Sequence, residues 1–201
     1  MKIGMKQSNV KIAITGGICS GKTSVAQIIR QKGYTVISCD EIYGKLLEDR
    51  NFINLLIDEF GEITNADGAL DRSKLSEIVF NDREKLKKLN SITHPKIIQR
   101  AFEQMTGEGV FFCEVPLLFE GAFEKLFDGV IVVLRKLEDR IAALTQRNNI
   151  SKNQALNRIN SQFDYDNCNF IKYYVIHNDK NLIKLQDDTL IVLKKIEKDY
   201  F

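Results

Sequence analysis

Gly16-Gly-Ile-Cys-Ser-Gly21-Lys22-Thr23 satisfies G-x-x-x-x-G-K-[ST] at every fixed position. These residue types suit a polyphosphate. Glycines at both ends of the run permit a tight turn that aims successive backbone N–H groups at phosphate oxygens. A helix starting near Lys22 turns its positive dipole end toward the same anion. Lys22 supplies a point charge for β- and γ-phosphates, and the Thr23 hydroxyl is a candidate Mg²⁺ ligand. The expected nucleotide-binding run is Gly17, Ile18, Cys19, Ser20, Gly21, Lys22, Thr23 and Ser24, with ATP as the nucleotide. The alternative is a glycine turn beside an incidental lysine. A strand before the run and an amphipathic helix after it argue against that. Cys19 is either a small residue that fits the loop or a redox thiol, which would need local thiolate stabilisation.

Three further groups have the chemistry of phosphoryl transfer. Asp40 ends a second strand, at the edge where open α/β sheets bind ligands. It could accept a proton from an attacking hydroxyl, or it could cap a helix starting at Glu41. Glu114 ends another strand, before Val115-Pro-Leu-Leu-Phe119-Glu120. It either helps hold Mg²⁺ or is an ordinary strand-end carboxylate. Arg135, Arg140 and Arg147 lie in or beside a charged helical segment, and the seven-residue spacing of the last two puts them on one helix face. They read as a charge-supplying lid or as a solvated face.

The elements that must position these groups are legible as patterns. Val10–Thr15, Tyr34–Ser38, Val110–Val115, Gly129–Leu134 and Tyr173–Ile176 are short apolar runs, expected as five parallel buried strands. Thr23–Lys32 has helical spacing and ends at Gly33. Between Glu41 and Arg100 apolar residues recur at helical spacing, broken at Asn65–Gly68, with Pro95 expected to mark a boundary or kink. Leu137–Asn148 and Ser151–Phe163 read as helices, the second capped by Ser151. Asn181–Asp199 reads as a last helix. Alternating strands and helices define a parallel α/β fold.

Composition narrows the class further. The 201 residues are 44% hydrophobic and 28% charged, a globular balance. The 29 basic and 27 acidic residues leave a charge of +2, so neither nucleic acid nor a membrane surface is an expected partner. Cys19, Cys39, Cys113 and Cys168 form no C-x-x-C pair and stand at no metal-binding spacing from His94 or His177. No run approaches a membrane span, and Met1–Lys11 is polar, so a cytoplasmic protein is expected. A GTPase is disfavoured: there is no N-K-x-D motif, and Asp58-Glu-Phe-Gly61 falls in a helical stretch. A small-molecule kinase fits best; a nucleotide-driven regulatory module is the other class.

With these segments in place the chain resembles the dephospho-CoA kinase family from about Lys11 to Lys195. The resemblance is carried by Ile14–Thr23, Val36-Ile-Ser-Cys-Asp40, Leu70-Asp-Arg72 with Leu75 and Val79-Phe80, Leu89–Pro95, Val115–Glu120, Arg140 with Arg147, Arg158-Ile-Asn-Ser-Gln162 and Val175-Ile-His-Asn178. It implies phosphoryl transfer from ATP to the ribose 3′-hydroxyl of dephospho-CoA. Asp40 would be the base, Lys22 and Arg140 would stabilise the transferring group, and Thr23 with Glu114 would hold Mg²⁺. Arg147 and Asn178 would join the ATP site. Asp40, Arg72, His94, Glu114 and Leu117 would face the acceptor, although His94 could equally be structural. The implied layout is a nucleotide-binding core (9–40, 101–135, 165–201), a helical acceptor-binding insertion (41–100) and a helical lid (136–164). Nothing in the sequence fixes the oligomeric state, and a monomer is the expectation. Cys19 and Ser38 stand where family members carry glycine and aspartate, and Asn148 follows the lid arginine in place of aspartate.

Overall fold

Val10, Ile12, Ala13 and Ile14 have no solvent exposure in the computed structural model, which describes residues 9–80 and 82–201, with only the backbone of Phe80. The polar start read from Met1 onward lies, through residue 8, outside the described residues. These apolar residues belong to β1 (Asn9–Thr15), the middle strand of a five-stranded parallel sheet that also contains β2 (Thr35–Ser38), β3 (Gly109–Glu114), β4 (Gly129–Leu134) and β5 (Tyr174–His177). The spatial order is β2-β3-β1-β4-β5. Strands this apolar need cover on both sheet faces, which is the arrangement of parallel sheets. Register sets the site: Ile14 pairs with Glu114 on one side and Thr15 with Val132 on the other.

The chain divides into two compact units, Met1–Ile37 with Met105–Phe201, and Ser38–Gln104. In the first, α1 (Lys22–Gln31) and α8 (Leu182–Tyr200) bury Val25, Ile29, Leu193 and Ile196 together with Ile12, Phe112, Ile131 and Ile176 of the sheet. α1 stops as its sequence predicts: Gly33 has φ +89° and its N–H donates to the Arg30 carbonyl. α6 (Leu137–Asn148) and α7 (Lys152–Asn160) enclose a small core of Leu144, Ala155 and Ile159. Ser151 caps α7 in a reciprocal capping box with Gln154.

The second unit is helical: α2 (Cys39–Leu46), α3 (Arg50–Phe60), α4 (Arg72–Phe80) and α5 (Arg83–Gln104). Leu46, Phe52, Leu56, Ile63, Leu75, Leu89 and Ile98 form its interior. The break at Asn65–Gly68 is a turn in which the Asn65 side chain accepts from the N–H groups of Asp67 and Ala69. Two expectations are corrected in this unit. Pro95 marks no helix boundary, because the 22-residue α5 continues past it. Proline removes one hydrogen bond from the ladder, and the buried flanking residues Leu89, Thr93, Ile97 and Ile98 hold the helix together by packing. The second correction is that Asp40 caps nothing: α2 begins at Cys39, and the Ser38 hydroxyl accepts from the Glu41 N–H.

Candidate active site

β1 delivers the chain into the glycine loop at the C-terminal edge of the sheet, and α1 carries it away. The turn closes with the Ser20 N–H donating to the Gly17 carbonyl at 3.1 Å. Gly21 sits at φ +101° immediately before α1, and a Cβ there would collide with Asn178 Nδ2. The same amide donates to the Ser20 carbonyl at 2.9 Å, so Asn178 braces the loop from the end of β5. Gly21→Ala therefore meets both left-handed backbone strain and a steric clash. It is expected to lower stability by about 2 kcal/mol or more, read as a fall in thermal midpoint.

Lys22 Nζ donates to the Gly16 and Gly17 carbonyls at 2.8 and 3.0 Å, which holds the cation over the loop. The Thr23 hydroxyl donates to Glu114 Oε1 at 2.8 Å. Glu114 is only 7% exposed, and its place follows from the β1–β3 register. The pairing sets the strand-end acid against the loop hydroxyl. Ser24 is half-buried in the first turn of α1.

Arg140 is buried, with 2% exposure. Its Nε donates to the Ile18 carbonyl at 3.2 Å, and its Nη1 donates to both carboxylate oxygens of Asp166, at 3.2 and 3.1 Å. Its guanidinium lies against Gly17, with Cζ 2.7 Å from where a Cβ would stand. The solvated-face reading fails for Arg140; Arg147 is exposed and donates to the neighbouring Asn148 side chain at 3.0 Å. The two share a helix face, but Arg140 lies in the first turn of α6 and Arg147 in its last.

Cys19 has φ +59°, and its side chain packs with Ile18 against the α6–α7 core. Its carbonyl accepts from Arg135 at 3.4 Å. Tyr165 is buried and its hydroxyl shares a 3.1 Å hydrogen bond with Thr15. Burial pushes that phenol well above its ordinary range, so it stays protonated at neutral pH. Phe119 of the Val115–Glu120 segment stacks on Phe170 and packs at a tilt against Phe163, Tyr165 and Tyr173, and Glu120 accepts the Phe163 N–H. Leu117, 36% exposed, sits in the turn between β3 and this cluster.

In the second unit Asp40 is exposed in the first turn of α2. Arg72 opens α4 close enough to Tyr43 for its charge to be felt: burial raises that phenol and Arg72 pulls it down. His94 is half-buried in α5, one residue before Pro95. Sequence reasoning passed over the partners Asp166, Tyr165 and Gln162. Gln162 accepts the Ile18 N–H at 2.6 Å. The Arg158–Gln162 segment was the one available signal for it. Nothing in the spacing points to Asp166, 26 residues from Arg140.

A parallel sheet whose central strand feeds a glycine-lysine loop, beside an acid from the adjacent strand end, makes the first unit the core of a phosphate-loop kinase. A dephospho-CoA kinase family model matches residues 10–184. A dephospho-CoA kinase of Listeria monocytogenes is 38% identical, over 94% of this chain and 98% of that one. Among solved structures, a Thermus thermophilus protein superimposes with TM-score 0.81 at 31% identity, covering 94% of this chain and 99% of its own. A dephospho-CoA kinase from Campylobacter jejuni gives 0.68 at 30%, covering 95% and 98%. The chain belongs to the dephospho-CoA kinase family.

Proposed function

We propose that this chain transfers the γ-phosphoryl group of ATP to the ribose 3′-hydroxyl of dephospho-CoA, giving CoA and ADP. Beyond family membership, the observation that carries the reading is the Thr23–Glu114 hydrogen bond. It joins the hydroxyl of a phosphate loop to a buried acid, the two kinds of group that hold Mg²⁺ beside the phosphates in phosphate-loop enzymes. In the transfer the 3′-oxygen forms a bond to γ-phosphorus, the bond from γ-phosphorus to the ADP oxygen breaks, and Asp40 takes the hydroxyl proton. Lys22 and Arg140 bear the negative charge of the transferring group, and Asn178 keeps the loop in shape at the nucleotide. The loop backbone from Gly17 to Ser24 binds the phosphates.

Thr23 and Glu114 present hard oxygen donors 2.8 Å apart, which fits Mg²⁺. Mg²⁺ takes few protein ligands, keeping phosphate oxygens and waters for the rest, so one hydroxyl and one carboxylate suffice. When bound, it would neutralise phosphate charge. Arg72, His94 and Leu117 serve the acceptor, from the 41–100 insertion and the 115–120 turn. The 136–164 segment acts as lid with Arg147. The enzyme is a cytoplasmic monomer on this reading. Among the described residues no helix is long and apolar enough to cross a membrane.

The test is ADP formation with dephospho-CoA, shikimate and nucleoside monophosphates offered in parallel. Turnover with dephospho-CoA alone is expected. Equal, acceptor-independent ATP hydrolysis in every arm would overturn the proposal and favour a regulatory module.

A further inference from the structure

Both backbone groups of Ile18, at the tip of the phosphate loop, are held from one place. The N–H donates to Gln162 Oε1 at 2.6 Å, and the carbonyl accepts from Arg140 Nε at 3.2 Å. Arg140 is itself anchored by Asp166. Gln162 and Asp166 flank Tyr165, which meets Thr15 at the other end of the loop. The five-residue stretch that follows α7 therefore touches the loop at its entry and at its tip.

The loop needs such a grip. Cys19, the next residue, stands at φ +59°, a backbone region that side chains with a Cβ adopt only at a cost. A conformation of that kind persists when its surroundings over-determine it. Here the surroundings are specific: the Ile18 and Cys19 side chains enter the α6–α7 core, Arg135 holds the Cys19 carbonyl, and Gln162 holds the Ile18 N–H. Gln162 is half-buried, so its hydrogen bond is shielded from competing water. A glycine at position 19 would take the turn unaided; a cysteine must be held in it.

We propose that Gln162 is a positioning residue for the phosphate loop: by fixing the Ile18 N–H it presets the loop backbone for the triphosphate, with Asp166 acting on the same residue through Arg140. Gln162 reaches no reacting atom in this scheme. Its effect passes through the loop, so it is felt in nucleotide affinity. For its catalytic readout the proposal rests on the kinase reading; its binding readout does not.

The experiment compares wild type, Gln162→Leu and Gln162→Glu. Leucine keeps the bulk and loses the acceptor, while glutamate keeps an acceptor oxygen at the same reach. ATP and ADP affinities are measured by titration calorimetry, and KM for each substrate by steady-state kinetics. Leaving one shielded N–H without its partner is expected to weaken ATP binding on the order of tenfold in Gln162→Leu. Gln162→Glu recovers most of that affinity, and KM for dephospho-CoA stays at the wild-type value in both. A merely structural glutamine would lower the melting temperature and leave nucleotide affinity alone. If Gln162→Leu does not melt cooperatively, Gln162→Asn, whose shorter side chain lifts the acceptor off Ile18, takes its place with the same expectation. A folded variant lacking the acceptor that binds ATP as wild type does overturns the proposal, as does an equal loss in Gln162→Glu. Wild type that binds ATP without turning over dephospho-CoA would sink the kinase reading and leave the calorimetric result for Gln162 standing.

Discussion

Asp40→Asn is expected to lower kcat by about 10²–10⁴, the usual effect of losing a general base, while KM for ATP stays near its wild-type value. Asparagine has the size of aspartate and hydrogen-bonds as well, but it does not take up the 3′-hydroxyl proton at neutral pH. The structure makes the experiment clean. Helix α2 is capped by Ser38, so removing the Asp40 charge leaves the cap in place. What is lost is a favourable charge in the first helical turn, about 0.3–1 kcal/mol at an exposed position. Ser38→Ala serves as the opposite control. It deletes the cap, costs about 1 kcal/mol of stability, and retains turnover at temperatures well below the midpoint. Pre-steady-state bursts and thermal melts of the two variants separate the roles. Full turnover in Asp40→Asn would remove Asp40 from the chemistry.

Arg140→Lys is expected to be nearly as damaging as a neutral substitution, although it keeps the charge. Arg140 uses two separate nitrogens, Nε for the Ile18 carbonyl and Nη1 for Asp166, while its guanidinium plane lies on Gly17. A single ammonium does not span those positions. Loss of an arginine that stabilises phosphoryl charge costs on the order of 10³ in kcat or more. The fold suffers as well, because the Asp166 carboxylate and the Ile18 carbonyl lose their partner. Breaking a fully buried ion pair costs about 3–5 kcal/mol. Asp166 is 44% exposed at its side chain and can rehydrate, so a loss of about 2 kcal/mol is expected. Single-turnover rates and chemical denaturation of Arg140→Lys beside Arg140→Met test both halves. A lysine variant within tenfold of wild-type kcat would show that charge alone suffices.

These two residues show how differently parts of the site can be read from sequence. The glycine loop was legible because its function is local: eight consecutive residues contain the turn, the cation and the hydroxyl. The strands were legible for a related reason. A sheet covered on both faces demands unbroken apolar runs, and Val10–Thr15 and Gly129–Leu134 supply them. Capping was half legible. Ser151 before α7 was readable, with Gln154 three residues on to complete the box. At α2, Ser38 and Asp40 are both good caps by type, and only the observed start at Cys39 decides between them. As a boundary signal Pro95 misled: its local cost is real, yet packing along α5 carries the helix past it.

Sequence alone determined the α/β class, the number and order of the strands along the chain, the place of the phosphate loop and the family. Each depends on residues close together in the chain or on a pattern that repeats along it. Tertiary structure alone decided which of two arginines seven residues apart is buried, that Asp166 is the partner of Arg140, and that Gln162 is the partner of the loop. Ile18 and Gln162 are 144 positions apart. Their hydrogen bond exists because the sheet order brings the ends of β1 and of the α6–α7 hairpin to one edge, and side-chain pairing across such a distance leaves no periodic trace in the chain.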